Sequence, residues 1–183
     1  MATILVLYHS SHGSVANMAH EFVDTIVAQG GNAVVRVFEK RQEHDVVVSK
    51  QDLVSCDALA FGTPTRFGMM ASQAKAFWET TSDLWLKGAL IDKPACVFSS
   101  SSSMHGGNEA TLLNLSLPLL HHGMMLLGVP YDVPELLATE SGGTPYGATH
   151  ISGSQNSTVL TQTEIKICRA AACRLLRVAE KLK

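Results

Sequence analysis

The sequence predicts an α/β domain in which a doubly wound, five-stranded parallel sheet carries helices on both faces. Three observations lead there. Five short apolar runs lie along the chain, at residues 4–8, 33–38, 58–62, 95–98 and 124–127. Segments with apolar residues at helical spacing stand between most of them. Gly, Asn and Pro punctuate the joins, as at Gly30-Gly31-Asn32 and Pro94. Continuous apolar strands are buried on both faces, and alternation with helices makes them parallel, joined by right-handed crossovers. No internal repeat or compositional boundary interrupts the pattern, so residues 1–183 read as one domain.

Taken in order, the first strand leads through Ser10, Ser11, His12, Gly13 and Ser14 to Val15. A helix opens there, with Val15, Met18, Ala19, Phe22, Val23, Ile26 and Val27 on its apolar side. A buried strand turning through small hydroxyl residues and one glycine into a helix is a phosphate-binding geometry. The first-turn N–H groups are free and the helix dipole adds positive charge. Ser10 and Ser14 offer hydroxyls, and Gly13 lets the backbone approach an anion. The loop holds no Lys or Arg, and neither GxxxxGK[ST] nor GxGxxG occurs. Taken alone, such a turn caps a helix as readily as it binds phosphate.

The second strand follows, and the charged residues 39–50 read as a loop. A helical turn at 51–57 delivers the third strand. The loop Thr63-Pro64-Thr65-Arg66-Phe67-Gly68 leads to a helix over 71–81, with Ala74, Phe77 and Trp78 inward. Residues 82–90 read as a connector holding Trp85. The fourth strand runs into a loop of five serines, 99–103, and then a helix over 109–122. Residues 134–156 are rich in Gly, Ser and Thr and read as a long irregular segment, a kind that is usually functional or interfacial. The last helix spans 163–182, with Thr161 or Thr163 as cap and Glu164 in its first turn.

Composition narrows the function. Hydrophobic residues make up 46% of the chain and charged residues 16%, which indicates a packed globule. A net charge of −2 offers no basic surface for nucleic acid and no strongly acidic face for electrostatic docking. A strand within the first few residues leaves no secretory leader, and no apolar run approaches the ~18 residues of a membrane span. The expected location is cytoplasmic. Cys56, Cys96, Cys168 and Cys173 lack CxxC spacing and read as buried free thiols. The eight histidines form no ligand pair with a carboxylate, so no metal is expected. The serine run has no GxSxG elbow, which argues against a hydrolase.

Ligands of open α/β sheets sit beyond the carboxyl ends of the strands. The loops that follow strands one, three, four and five all lie there, and all are small, hydroxylic, Gly-rich or aromatic. A phosphate cradle beside loops able to hug a flat ring is what a mononucleotide flavin requires.

Four stretches carry a closer likeness: FGTPTRFG at 61–68, GGNE at 106–109, HHGM at 121–124 and GGTPYGAT at 142–149. On these the chain resembles the WrbA family of flavodoxin-like NAD(P)H:quinone oxidoreductases over nearly its whole length. The resemblance implies non-covalent FMN, electron transfer from NADH or NADPH to a quinone, and a homotetramer with sites at subunit interfaces; substrates that share one exposed flavin face must alternate, which predicts ping-pong kinetics. Ser10, Ser11, His12, Gly13, Ser14 and Val15 would hold the phosphate. Pro64, Thr65, Arg66 and Phe67 would run along the isoalloxazine, and Ser100, Ser101, Ser102, Ser103, Met104, His105 and Gly106 along its other edge. His121 and Arg66 would be catalytic, His121 also touching the flavin. Trp85 and His12 would face the substrates; Tyr131 joins them on the ground that flat ligands favour aromatic walls, with packing as its plainer reading. The chain departs from the family at His12, where Tyr is frequent, at Met69, where Asn is common, and at Ser101-Ser102-Ser103, usually a Thr-Gly loop. Plainer readings stand beside these: an ion pair for Arg66, a helix cap for His121, core packing for Trp85. For the whole chain the alternative is a flavin-binding electron carrier or regulatory scaffold with little turnover.

Overall fold

The structure is a computed structural model that describes residues 1–183. Its elements are β1 (Thr3–Tyr8), α1 (Ser14–Ala28), β2 (Asn32–Val37), α2 (Lys50–Ser55), β3 (Ala58–Pro64), α3 (Ser72–Glu79) and α4 (Ser82–Leu86). There follow β4 (Pro94–Ser101), α5 (Asn108–His121), β5 (Met125–Leu126), α6 (Glu135–Ala138), β6 (Ala148–Ile151) and α7 (Gln162–Leu182). The strands are all parallel, in the order β2-β1-β3-β4-β5, with β6 also on β4. This is the doubly wound sheet that the apolar runs predict, with the strand order reversing beside β1.

Side chains alternate across β1. Ile4, Val6 and Tyr8 pack under α1 and α7 with Met18, Phe22, Ile167 and Leu175. Leu5 and Leu7 point to the other face, under α3 and α5, with Phe61, Trp78, Leu112 and Leu115. Phe98 stacks on Phe22 at 4.9 Å between ring centroids. It lies so close to Gly62 that a Cβ there would stand 2.2 Å from the Phe98 ring. Only glycine fits at that place in β3.

Three expectations need correction. The 82–90 connector contains a short helix, α4, with Leu84 buried; five residues are too few to display helical periodicity. The serines do not begin a loop, since Ser99, Ser100 and Ser101 extend β4 and are buried. Residues 134–156 are not irregular throughout, because they hold α6 and β6. β5 registers on Pro94 and Ala95, and β6 on Phe98 through Ser101, so two short strands share the fifth position of the sheet. Thr149 and His150 in β6 are polar yet buried, which erased the apolar signature there. At α7 the cap is Thr161: its hydroxyl accepts from the Glu164 amide at 3.2 Å, and its amide donates to Glu164 Oε2 at 2.8 Å.

Candidate functional site

β1 ends at the carboxyl edge and hands the chain to the 10–14 loop. Ser10 Oγ accepts from the amides of Gly13 and Ala16, both at 3.2 Å. With both lone pairs engaged, the Ser10 hydroxyl proton is left to donate outward. Gly13 is the N-cap of α1 at φ 107°, a conformation that favours glycine. No side chain caps this helix, and the amides of Ser14 and Val15 donate to no group of the chain. They point outward as an anion seat.

The seat opens into a cleft of 160 Å³. Ser10, Ser11, His12, Ser14 and Val15 line it from the first loop, Pro64, Thr65 and Arg66 from the second, and Ser100, Ser101 and Ser102 from β4 and beyond. Three loops separated in sequence thus meet as expected. Val15 is the one hydrophobic residue of the lining, so the cleft suits a phosphate and a polyhydroxyl chain. Arg66 bridges two of its walls, with Nη2 donating to Ser11 Oγ at 2.6 Å and Nη1 to the Thr65 carbonyl at 2.9 Å. Neither partner is a carboxylate, so Arg66 makes no ion pair within the chain.

Beside the cleft, Arg66 and Met69 exchange backbone hydrogen bonds of 2.8 and 3.1 Å across Phe67 and Gly68. Both central residues have positive φ, 54° and 78°, as a primed two-residue turn requires. Glycine tolerates this; for Phe67 it costs on the order of 1 kcal/mol. The turn holds the Phe67 ring fully in solvent, a flat apolar surface at the mouth of a polar cleft. Thr111 of α5 gives its proton to the Gly107 carbonyl at 2.8 Å and accepts from Thr65 Oγ1 at 2.7 Å, which ties this loop down.

Other expected residues lie elsewhere. Ser103, Met104, His105 and Gly106 are exposed and outside the cleft lining. Gly13 lines an adjoining cavity of 420 Å³ with His12, Glu39 and Arg41. Tyr131 is exposed and lines neither. His121 and Trp85 share a different cavity of 440 Å³, with Met70, Trp78, Leu117 and His122. α5 begins at the cleft edge and His121 ends its 14 residues, about 20 Å away. Trp85 is half exposed, against the core-packing reading. In that cavity His122 Nε2 lies 2.8 Å from Thr81 Oγ1, whose own proton goes to the Trp78 carbonyl. His122 Nε2 is therefore the donor, and burial, aided by His121, holds the ring below the ordinary histidine pKa. Its Nδ1 and Trp78 Nε1 are buried without partners in the chain.

Sequence reasoning missed three residues. His9, buried behind the first loop, lies 3.3 Å from Ser11 Oγ, and burial followed by the Arg41 charge lowers its pKa. Ser152 and Asn156 close the cleft from beyond β6. Ser152 is fastened to β4, its amide donating to the Ser101 carbonyl at 2.9 Å. The left-handed φ of Asn156, 50°, was the available signal, since Asn is a residue that tolerates it.

The family model described as NADPH-dependent FMN reductase matches residues 4–131. The chain is 40% identical over 199 residues to an NAD(P)H dehydrogenase (quinone) of Chromohalobacter salexigens, covering 100% of this chain and 99% of the relative. It is 36% identical over 197 residues to a protein of the same name from Gluconacetobacter diazotrophicus, covering 100% and 99%. Among solved structures, a WrbA-like flavodoxin from Agrobacterium tumefaciens matches with a TM-score of 0.76 at 22% identity, over 100% of both chains. Oxidised Flavodoxin 2 of Bacillus cereus matches with a TM-score of 0.65 at 14% identity, again over 100% of both chains. At these identities the structures speak for the fold.

Proposed function

The chain belongs to the NADPH-dependent FMN reductase family, and from that premise we infer that the cleft at the ends of β1, β3 and β4 seats the phosphate and ribityl chain of FMN. It is a flavodoxin-like NAD(P)H:quinone oxidoreductase of the WrbA type, an enzyme that uses FMN to reduce quinones with NADH or NADPH. Bound FMN supplies the two-electron exchange between nucleotide and quinone. The observation that carries the seat is the pair of unpartnered amides at Ser14 and Val15, beside a Ser10 hydroxyl with its proton free.

The side chains supply position and charge. Ser10 and the α1 amides donate to the phosphate, and Ser100, Ser101 and Ser102 suit the ribityl hydroxyls. Thr65, Arg66 and Phe67 form the ledge for the ring, where the uncompensated Arg66 charge stabilises negative charge that develops during reduction. The exposed Phe67 face shields that ledge from water. A single open ledge serves nucleotide and quinone in turn, so the kinetics are ping-pong.

His121 and Trp85 act on a neighbour's flavin in a homotetramer. Their separation from the cleft of their own chain supports this, as does the exposed apolar stripe of Leu113, Leu117 and Leu120 on α5. Cytoplasmic residence fits a chain with no helix long and apolar enough to cross a membrane and with three of its four free cysteines buried.

Titration of the purified protein with FMN, followed by absorbance, tests the seat. Stopped-flow mixing with NADH and NADPH then tests turnover, and a flavin that keeps its colour on a catalytic timescale would overturn the enzyme reading. Parallel initial-rate plots are expected for the shared ledge. A fully active monomer in sizing chromatography would overturn the tetramer.

A further inference from the structure

The wall that Ser152 and Asn156 give to the cleft hangs from a buried pair. His150 of β6 and Glu164 of α7 have side chains 1% and 0% exposed. His150 Nδ1 lies 2.9 Å from Glu164 Oε2, and its Nε2 lies 2.9 Å from the Ser157 carbonyl oxygen. A carbonyl oxygen only accepts, so Nε2 bears a proton. Every other partner of Glu164 donates to it. The Gly142 and Ile151 amides at 3.0 Å and the Ser141 hydroxyl at 2.8 Å meet Oε1, and the Thr161 amide at 2.8 Å meets Oε2. A carboxyl surrounded by donors stays ionised, which leaves His150 Nδ1 to donate as well. The ring is an imidazolium. Burial opposes both charges, but the hydrogen bonds prevail, bringing Glu164 down to about 2 and raising His150 above its ordinary value.

The ring governs one loop. Residues 152–158 leave β6, run over the phosphate seat and return to α7. Ser152 is tied to Ser101, and Asn17 Nδ2 of α1 donates to the Thr158 carbonyl at 2.8 Å. Thr158 Cγ2 would stand 3.3 Å from a Cβ on Gly13, so the loop rests against the seat itself. Between these ties, Ser157 is held by His150 Nε2 and by its own amide donating to the Ser152 carbonyl at 2.8 Å. The groups facing His150 are Glu164 from α7, the Ser157 carbonyl from the loop and the neutral Ser100 paired with it from β4. Cys168, one turn along α7, is a thiol that burial keeps protonated.

We propose that His150 is a positioning residue for FMN: its charged ring, seated on Glu164, holds the 152–158 loop closed over the phosphate end through the Ser157 carbonyl. Loss of the ring proton removes one of the two hydrogen bonds, since both partners only accept, the loop loosens, and the grip on the phosphate weakens. This rests on the FMN reading of the cleft.

The test measures dissociation constants of the full chain for FMN and for riboflavin, which lacks the phosphate, by flavin fluorescence. The range runs from about pH 7 to about pH 10, above the second phosphate ionisation at ~6. For the unaltered protein the FMN constant rises about tenfold across the range while that for riboflavin stays level. His150→Gln keeps an uncharged donor within reach of Ser157, and its FMN affinity is independent of pH. His150→Asn keeps a donor for Glu164 but falls short of Ser157, and it binds FMN about tenfold more weakly at every pH. Thermal melts of each variant establish that it is folded, and the unaltered protein alone carries the pH arm. A flat FMN profile, or riboflavin weakening in parallel, overturns the proposal. Failure to bind FMN even at neutral pH overturns the functional reading beneath it, a different and recognisable result.

Discussion

The cleft beyond β1 and the cavity at the far end of α5 are built on opposite plans. The cleft is hydroxylic, with Val15 its one hydrophobic residue, and its spare hydrogen-bonding capacity is outward-facing amides and one free proton. The cavity is walled by Met70, Trp78, Trp85 and Leu117, and its spare capacity is two buried ring nitrogens. An anion anchor needs only backbone held rigidly by local bonds, which one chain can supply. Surfaces that stack flat substrates need wide apolar area, which a monomer leaves exposed at a cost in solubility. On the proposed reading, the cleft anchors the cofactor and carries the ledge, while the cavity adds His121 and Trp85 from a separate part of the fold.

Substitutions that separate the two sharpen the contrast. The largest effect is expected from Ser10→Ala, which strips the Gly13 and Ala16 amides of their acceptor and removes the donated proton. FMN affinity should fall about a hundredfold, read by fluorescence titration. Next comes Trp85→Ala, expected to lower kcat for quinone about tenfold while the FMN dissociation constant is unchanged. If Trp85→Ala weakened FMN binding in a dilute monomer, the two regions would not be independent. The His150–Glu164 pair gives a smaller, pH-dependent effect on the apoprotein. His150 is raised, so its contribution is full below the ordinary histidine pKa and is lost as pH climbs through the raised value. Glu164 is lowered to about 2, so its contribution holds above the ordinary carboxylate range and fades only as pH falls through about 2. Thermal melts should place the pair's greatest stabilisation between those limits, with Tm falling by about 5 °C on the alkaline side. The smallest effect is Phe67→Asn. Relief of the left-handed strain should raise stability by about 1 kcal/mol in urea denaturation, with the apolar ledge lost in exchange.

Much of this was open to reading in the chain because β1, β3 and β4 are buried on both faces and so write themselves as apolar runs. β6 escaped because Thr149 and His150 are buried through long-range bonds, to Gly143 and Glu164, that periodicity cannot register. α4 and α6 are too short to repeat. The proposed phosphate seat was legible as a turn since Ser10, Gly13 and Ser14 are local to one another. Ser152 and Asn156 were not, because they reach the cleft only by way of β6. The distance of His121 from the cleft could have been read from the length of α5 alone, since a helix that starts at one edge of a sheet ends near the other.

The division of the fifth sheet position between β5 and β6 bears on how copies of the chain can meet. An unbroken edge strand is a template for another chain to pair with, and its danger grows with its length. Here the chain leaves after two residues, wanders through residues 127–147 and returns for only four. No partner could extend the sheet along that border for more than a few bonds. For the proposed tetramer, strand addition is disfavoured on this side, whereas α5 offers an exposed row of leucines at Leu113, Leu117 and Leu120.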